Sequence, residues 1–213
     1  MATQFDDRTP AGMGGRIKRI IMAPKAEWPV IDTETTSVRA LMTGWAVPLA
    51  AIGPVARLIG EQVFGYNILG FHFRPTIASS VGSAVTSYIL SLIGVWVFAL
   101  IIDALAPSFG GVKNPVQAMK VAVYSWTAAW IAGIFAIVPA LAFLMILGLY
   151  SFYLLYLGLP MLMKAPPEKA LGYTIVSIVA AIVVFIVIGA AAGAITHQFA
   201  APPALGVGSL SLH

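Results

Sequence analysis

Between Val121 and Met163 the chain carries no Asp, Glu, Lys or Arg for 43 residues. As one α-helix this stretch would measure about 65 Å at 1.5 Å per residue, roughly twice the hydrocarbon thickness of a bilayer. It must therefore fold back on itself. Pro139 is the expected reversal, because it lacks an amide hydrogen and disfavours helical backbone at Val138, while Gly133 adds slack on one side. The stretch then resolves into two spans, at about 116–138 and 140–163.

Three more apolar runs, at about 38–58, 77–105 and 171–196, bring the number to five. The 29 residues of the second run would reach about 43 Å as a helix, so it tilts or protrudes from the hydrocarbon. Of the 213 residues 60% are hydrophobic and only 9% charged. Ordinary soluble domains carry about 25% charged residues, so this chain cannot cover a water-facing surface. A soluble enzyme is excluded. The runs lack the alternation of barrel strands, and lipid-exposed backbone must satisfy its own hydrogen bonds, so the expected fold is all-α, a polytopic membrane helix bundle.

Residues 1–37 differ from the rest: six basic and five acidic side chains lie between Asp6 and Arg39. Asp6 and Asp7 stand where a signal peptide needs a basic start and an apolar core, so this segment is expected to be retained and solvated. The remaining divisions are a bundle at 38–197 and a tail at 198–213. With five spans and the N-terminus inside, Arg8, Arg16, Lys18, Arg19, Lys25, Arg39, Lys113, Lys120, Lys164 and Lys169 fall on the cytoplasmic side. Only Arg57 and Arg74 fall outside. The positive-inside rule then predicts N-in, C-out topology with a periplasmic tail.

The segment Tyr150 to Thr174, YSFYLLYLGLPMLMKAPPEKALGYT, resembles the fourth span, short loop and fifth-span start of bacterial Yip1-domain membrane proteins. The five-span pattern, the basic amphipathic approach and the pair Trp28-Pro29 before the first span are similar as well, so the resemblance covers about residues 10–197. It implies a five-helix inner-membrane protein. Eukaryotic relatives are implicated in vesicle traffic and Rab-GTPase binding, with a DLYGP motif near the first span. That motif is absent here, so GTPase binding is not carried over.

Several features are candidates for function. In GGRIKRIIM, Ile17, Ile20 and Ile21 share a helical face with Arg16, Lys18 and Arg19 between them, a pattern that can lie among headgroups with its basic side toward anionic lipid. The same charges could simply fix topology. Pro24 and Pro29 are expected to end any helix, and Trp28 to anchor at the interface. In the loop MKAPPEKALGYT, Lys164, Glu168, Lys169 and Tyr173 are expected to form a compact patch for a partner or a lipid headgroup, or else to mark a stiff hairpin.

Ser79, Ser83, Ser87 and Ser91 recur every four residues, giving a stripe that reads first as a packing seam and second as a polar track for a solute. Continuing by fours reaches Asp103, the one acidic residue expected inside a span, for which an ion pair with Lys120 is favoured over a proton-carrying role. Tyr150, Tyr153 and Tyr156 give the fourth span an aromatic side that reads as belt or seam rather than ligand box. Gly189 and Gly193 form GxxxG, a close-contact face within the bundle or between copies.

The chain has no cysteine, and His72, His197 and His213 show no metal-site spacing, so neither metal nor cofactor is expected. GxSxG, P-loop and HExxH motifs are absent, and the charge balance gives no sign of nucleic-acid binding. The sequence thus points to a non-enzymatic membrane protein that organises lipids or partner proteins through a basic cytoplasmic face. The rivals are a small permease using the serine stripe and Asp103, and an accessory subunit of a larger membrane complex.

Overall fold

The computed structural model describes the backbone of residues 12–68 and 71–199, with side chains outside 66–73 and 187–199. Gly189 and Gly193, and His72 and His197, thus lie outside the described side chains, and His213 with the rest of the tail from residue 200 lies outside the described backbone.

Among the described residues, five helices are long and apolar enough to cross a membrane: Val38–Val63, Ile77–Phe109, Pro115–Ile137, Pro139–Leu162 and Pro167–Ile186. The fifth belongs to a helix that continues to Phe199. The third lies at the centre, with 56% of its most apolar window buried against 17% for the fourth. The chain is an all-α membrane bundle, as its hydropathy requires. A short antiparallel hairpin, β1 (Tyr66–Ile68) and β2 (Phe71–Phe73), joins the first two spans, with Asn67 opposite His72.

The spans are not uniform rods, and proline sets most of the breaks. Ser37 caps the first span by accepting from Ala40 N. A π-helical turn, Met42–Ala46, then precedes Pro48, whose ring cannot coexist with the carbonyl four residues back. A second break at Ala51 precedes Pro54 for the same reason. The third span tightens into a 3₁₀ helix at Gly133–Ile137 and ends at Val138, whose extended backbone (φ −112°, ψ 112°) is what Pro139 demands of the residue before it. The fourth span opens with eleven residues of 3₁₀ helix, Pro139–Leu149, before becoming α-helical at Tyr150–Leu162. Such runs rarely exceed three or four residues elsewhere.

Glycine allows the first and third spans to meet backbone to backbone. A Cβ on Gly133 would stand 2.8 Å from Gly53 Cα, and one on Gly60 would stand 2.6 Å from Ala136 O. These small residues replace the missing hydrophobic drive between helices in lipid with close van der Waals contact.

The first span runs past residue 58 to Val63, which brings a second carboxylate into the bundle and corrects the expectation that Asp103 is alone there. Glu61 accepts from Ser80 Oγ at 2.7 Å and from Arg57 Nε at 2.7 Å, and Gln62 Nε2 donates to the same serine oxygen at 2.9 Å. This cluster lies at the end of the bundle opposite the N-terminal helices.

Candidate functional site: an N-terminal elbow locked onto the bundle

Among the described residues, two short helices precede the first span, α1 (Met13–Met22) and α2 (Pro24–Thr33). Pro24 starts α2 at a position where its missing amide hydrogen costs nothing, and Pro29 sits inside the helix rather than ending it. Pro24 thus ends α1 as expected, since Ala23 before it leaves the helical conformation, whereas Pro29 does not act as the stop expected of it. The corner at Ala23 (φ −137°, ψ 52°) turns the pair into an elbow.

Each arm buries one face. On α1 Ile20 is fully buried and Ile17 and Ile21 pack beside it. On α2 the buried positions are Pro24, Glu27, Trp28 and Ile31, one helical stripe. Trp28 is only 1% exposed, so it is a core residue and not the interfacial anchor that the sequence suggested. Its ring fills the space that a side chain on Gly158 of the fourth span would need, and it meets Tyr124 edge-on at 6.4 Å between centroids. Tyr124 in turn packs edge-on against Trp45 of the first span at 4.9 Å.

Charges close the elbow. Glu27, 3% exposed, accepts from Arg19 Nε at 2.9 Å and has Arg16 within 3.5 Å, while Arg16 also pairs with Glu34 and lies 5.9 Å above the Tyr124 ring. Burial, the largest influence on Arg16, disfavours its charged form. The hydrogen bond to Glu34, with the nearby Tyr124, Glu34 and Glu27, outweighs it and holds the guanidinium above its ordinary pKa.

Three side chains of the bundle then grip the C-terminal end of α2. Lys120 Nζ, on a residue only 2% exposed, donates to Ile31 O at 2.7 Å and Glu34 O at 2.6 Å, with Asp32 O at 3.4 Å. A cation at the carbonyl end of a helix suits both the free acceptors and the dipole. Gln117 Nε2 donates to Asp32 Oδ1 at 3.1 Å, and Lys164 Nζ to Asp32 Oδ2 at 2.6 Å. At the other arm Tyr150 donates its hydroxyl to Ile21 O at 2.9 Å.

This arrangement replaces the expected Asp103–Lys120 ion pair. Asp103 instead accepts from Asn114 N at 2.7 Å, and Asn114 caps the third span by accepting from Val116 N and Gln117 N. The carboxylate tightens a turn, so its role is local. Nor does Tyr173 join the expected loop patch. It is fully buried, stacks on Phe109 at 4.9 Å and donates its hydroxyl to Ile102 O, while Lys164, Glu168 and Lys169 remain exposed.

The serine stripe is likewise not a seam along its length. Ser79, Ser83 and Ser87 are exposed on the outside of the second span, and Ser87 bonds back to Ser83 O at 2.7 Å. Only Ser91 meets a neighbour, accepting from Trp130 Nε1 at 3.1 Å. The inward-facing serine is Ser80. Tyr153 and Tyr156 are also exposed.

Sequence reasoning missed Glu27, Asp32, Glu34, Gln117, Tyr124 and Gly158 as parts of one site. The signal available was the spacing of Gln117, Lys120 and Tyr124, which places three polar tips on one face of an otherwise apolar helix.

A five-helix bundle of this length and apolarity, with a polar elbow folded onto one end, is the architecture of a multi-pass membrane protein. The family model of the Yip1 domain matches residues 18–188, and the chain belongs to that family. It is similar to the inner membrane protein YohC of Escherichia coli strain K12, at 26% identity over 156 residues covering 71% of this chain and 80% of the relative. YohC of E. coli O6:H1 is similar to the same degree. No solved structure matches. The chain is thus a multi-pass protein of the bacterial inner membrane.

Proposed function

We propose that the chain is a non-enzymatic protein that organises anionic lipids, and partner proteins bearing acidic surfaces, through a basic cytoplasmic face. The supporting observation is the division of labour among charges at the elbow end. Arg16 and Arg19 are engaged by Glu27 and Glu34, so the two arginines serve the fold rather than a headgroup. Lys18, Lys25, Arg39, Lys113 and Lys169 are exposed around them, and among the described residues at this end Glu168 is the one exposed acid. Each cation near an anionic leaflet contributes about 1 kcal/mol, and the sum falls with added salt.

The test is lipid analysis of protein withdrawn from native membranes with its surrounding lipid. Enrichment of phosphatidylglycerol and cardiolipin over bulk membrane is expected, and its loss in a Lys18→Gln, Lys25→Gln, Arg39→Gln, Lys113→Gln, Lys169→Gln variant that still melts like the parent. Equal lipid profiles for parent and variant, together with unchanged companion proteins, reject the reading.

A further inference from the structure

A cavity of about 420 Å³ opens among the second, third, fourth and fifth spans. Its lining is almost wholly apolar and rich in rings, with Phe98, Trp126, Phe152 and Phe185 contributing, and two serines, Ser125 and Ser151, supply its hydroxyls. Ser125 is 1% exposed and, among the described residues, its Oγ has no hydrogen-bond partner. Ser151 Oγ accepts from Ala129 N at 3.0 Å, which leaves its own proton available. Both hydroxyls lie at the same depth. Ser125 comes ten residues after Pro115 and twelve before Ile137, and Ser151 twelve after Pro139 and eleven before Leu162. Along α-helix at 1.5 Å per residue, Ser125 lies about 15 Å from Pro115 and Ser151 about 16 Å from Leu162, so each is well inside its span.

We infer that this cavity binds a membrane-dissolved quinone, its ring among the four aromatic side chains and one ring carbonyl accepting from Ser125 and Ser151. Depth and donors together select this class. A buried hydroxyl in an apolar surround is unfavourable until something accepts its proton. A phospholipid places its ester carbonyls at the interface, so its acyl chain would fill the space and leave both hydroxyls unanswered. A quinone headgroup is apolar enough to dwell at mid-membrane, flat enough to lie beside rings in offset or edge-on contact, and carries carbonyl acceptors. The four spans leave the bilayer's hydrocarbon as the medium at the cavity mouth, so such a molecule enters sideways without meeting water.

The experiment uses full-length protein in phosphatidylcholine nanodiscs titrated with a decyl-substituted benzoquinone, following tryptophan fluorescence. Saturable quenching is expected above the linear background of empty-site partitioning. Trp126→Phe should remove most of the saturable part. Ser125→Ala should weaken binding by roughly fivefold, the effect of one hydrogen bond, and Ala129→Phe should abolish it by filling the space. Thermal melting of each variant identifies folded samples, and Ser125→Ala removes one oxygen without adding bulk. Wholly linear quenching by the parent overturns the inference. So does equal affinity of parent and folded Ser125→Ala, which would mark an acyl-chain groove, as would equal displacement of the probe by a saturated decyl hydrocarbon lacking oxygen.

Discussion

The ring of Trp28 occupies the space over Gly158, so that a Cβ added to the glycine would stand 2.7 Å from the indole Cη2 and Cζ2 atoms. Together with the Tyr150 hydroxyl bond to Ile21 O, this contact joins the N-terminal elbow to the fourth span, and it sets the largest side chain on one partner against the smallest on the other.

Gly158→Ala is expected to push the indole out of its seat and destabilise the protein by about 1–3 kcal/mol, the cost of overpacking a tight contact. Trp28→Ala should cost more, about 3–5 kcal/mol, because it empties a buried aromatic site. Thermal melting in mild detergent measures both. A Gly158→Ala protein that melts with the parent and keeps its tryptophan emission would contradict the contact.

Lys120→Met keeps much of the aliphatic stem but strips the carbonyls of Ile31 and Glu34 of their donor. The loss should be about 1.5–3 kcal/mol, the range for hydrogen bonds to a charged group, and it should appear locally. Hydrogen exchange across 13–33 should accelerate while the centre of the third span stays protected. Uniform acceleration, or none, would argue against Lys120 as the clamp.

The glycines separate into two classes. Gly60→Ala and Gly133→Ala drive a methyl group against backbone of the facing span and should destabilise strongly. Gly44→Ala, with nothing among the described residues within 4 Å of the added carbon, should leave the melting temperature of the parent nearly unchanged. Similar behaviour of all three would mean that the first and third spans do not meet as described.

Arg16 gives a sign for pH dependence. Its folded pKa is raised above the ordinary value, so its contribution is fully present below the ordinary, unfolded pKa of a guanidinium and would be lost only as pH rises through the still higher folded value. On this account exchange protection of α1, corrected for the intrinsic rate, should not decline between pH 7 and pH 10. Arg16→Lys should nonetheless weaken it, since an ammonium cannot reproduce the fork that serves Glu27 and Glu34 together. A decline in the parent over that range would assign the protection to another group.

What was legible in the sequence follows from which forces are local. The five helices and the reversal at Val138 rest on hydropathy summed along the chain and on the backbone constraint of Pro139, and both are written in consecutive residues. The elbow is different. Lys120 is satisfied by backbone carbonyls, and every residue has one, so no side-chain identity announces the partner; a search for an acid led instead to Asp103. Trp28 reads as an interfacial anchor by composition, because only the absent side chain of Gly158, far along the chain, reveals a seat for it. Tyr173 and the outward-facing serines show the same limit: periodicity places residues on a common face but does not say whether protein or lipid lies opposite.

The grip of Lys120 also imposes an order on assembly. Its acceptors at residues 31–34 are made up to 89 residues earlier. At 5–20 residues per second, a ribosome needs roughly 4 to 18 s to reach the lysine after passing them. For that interval the newborn amphipathic arms have no third or fourth span to dock against. The leaflet surface is the nearest shelter for their isoleucines and Trp28, so the arms should rest on lipid first and be lifted onto the bundle only when the later spans arrive.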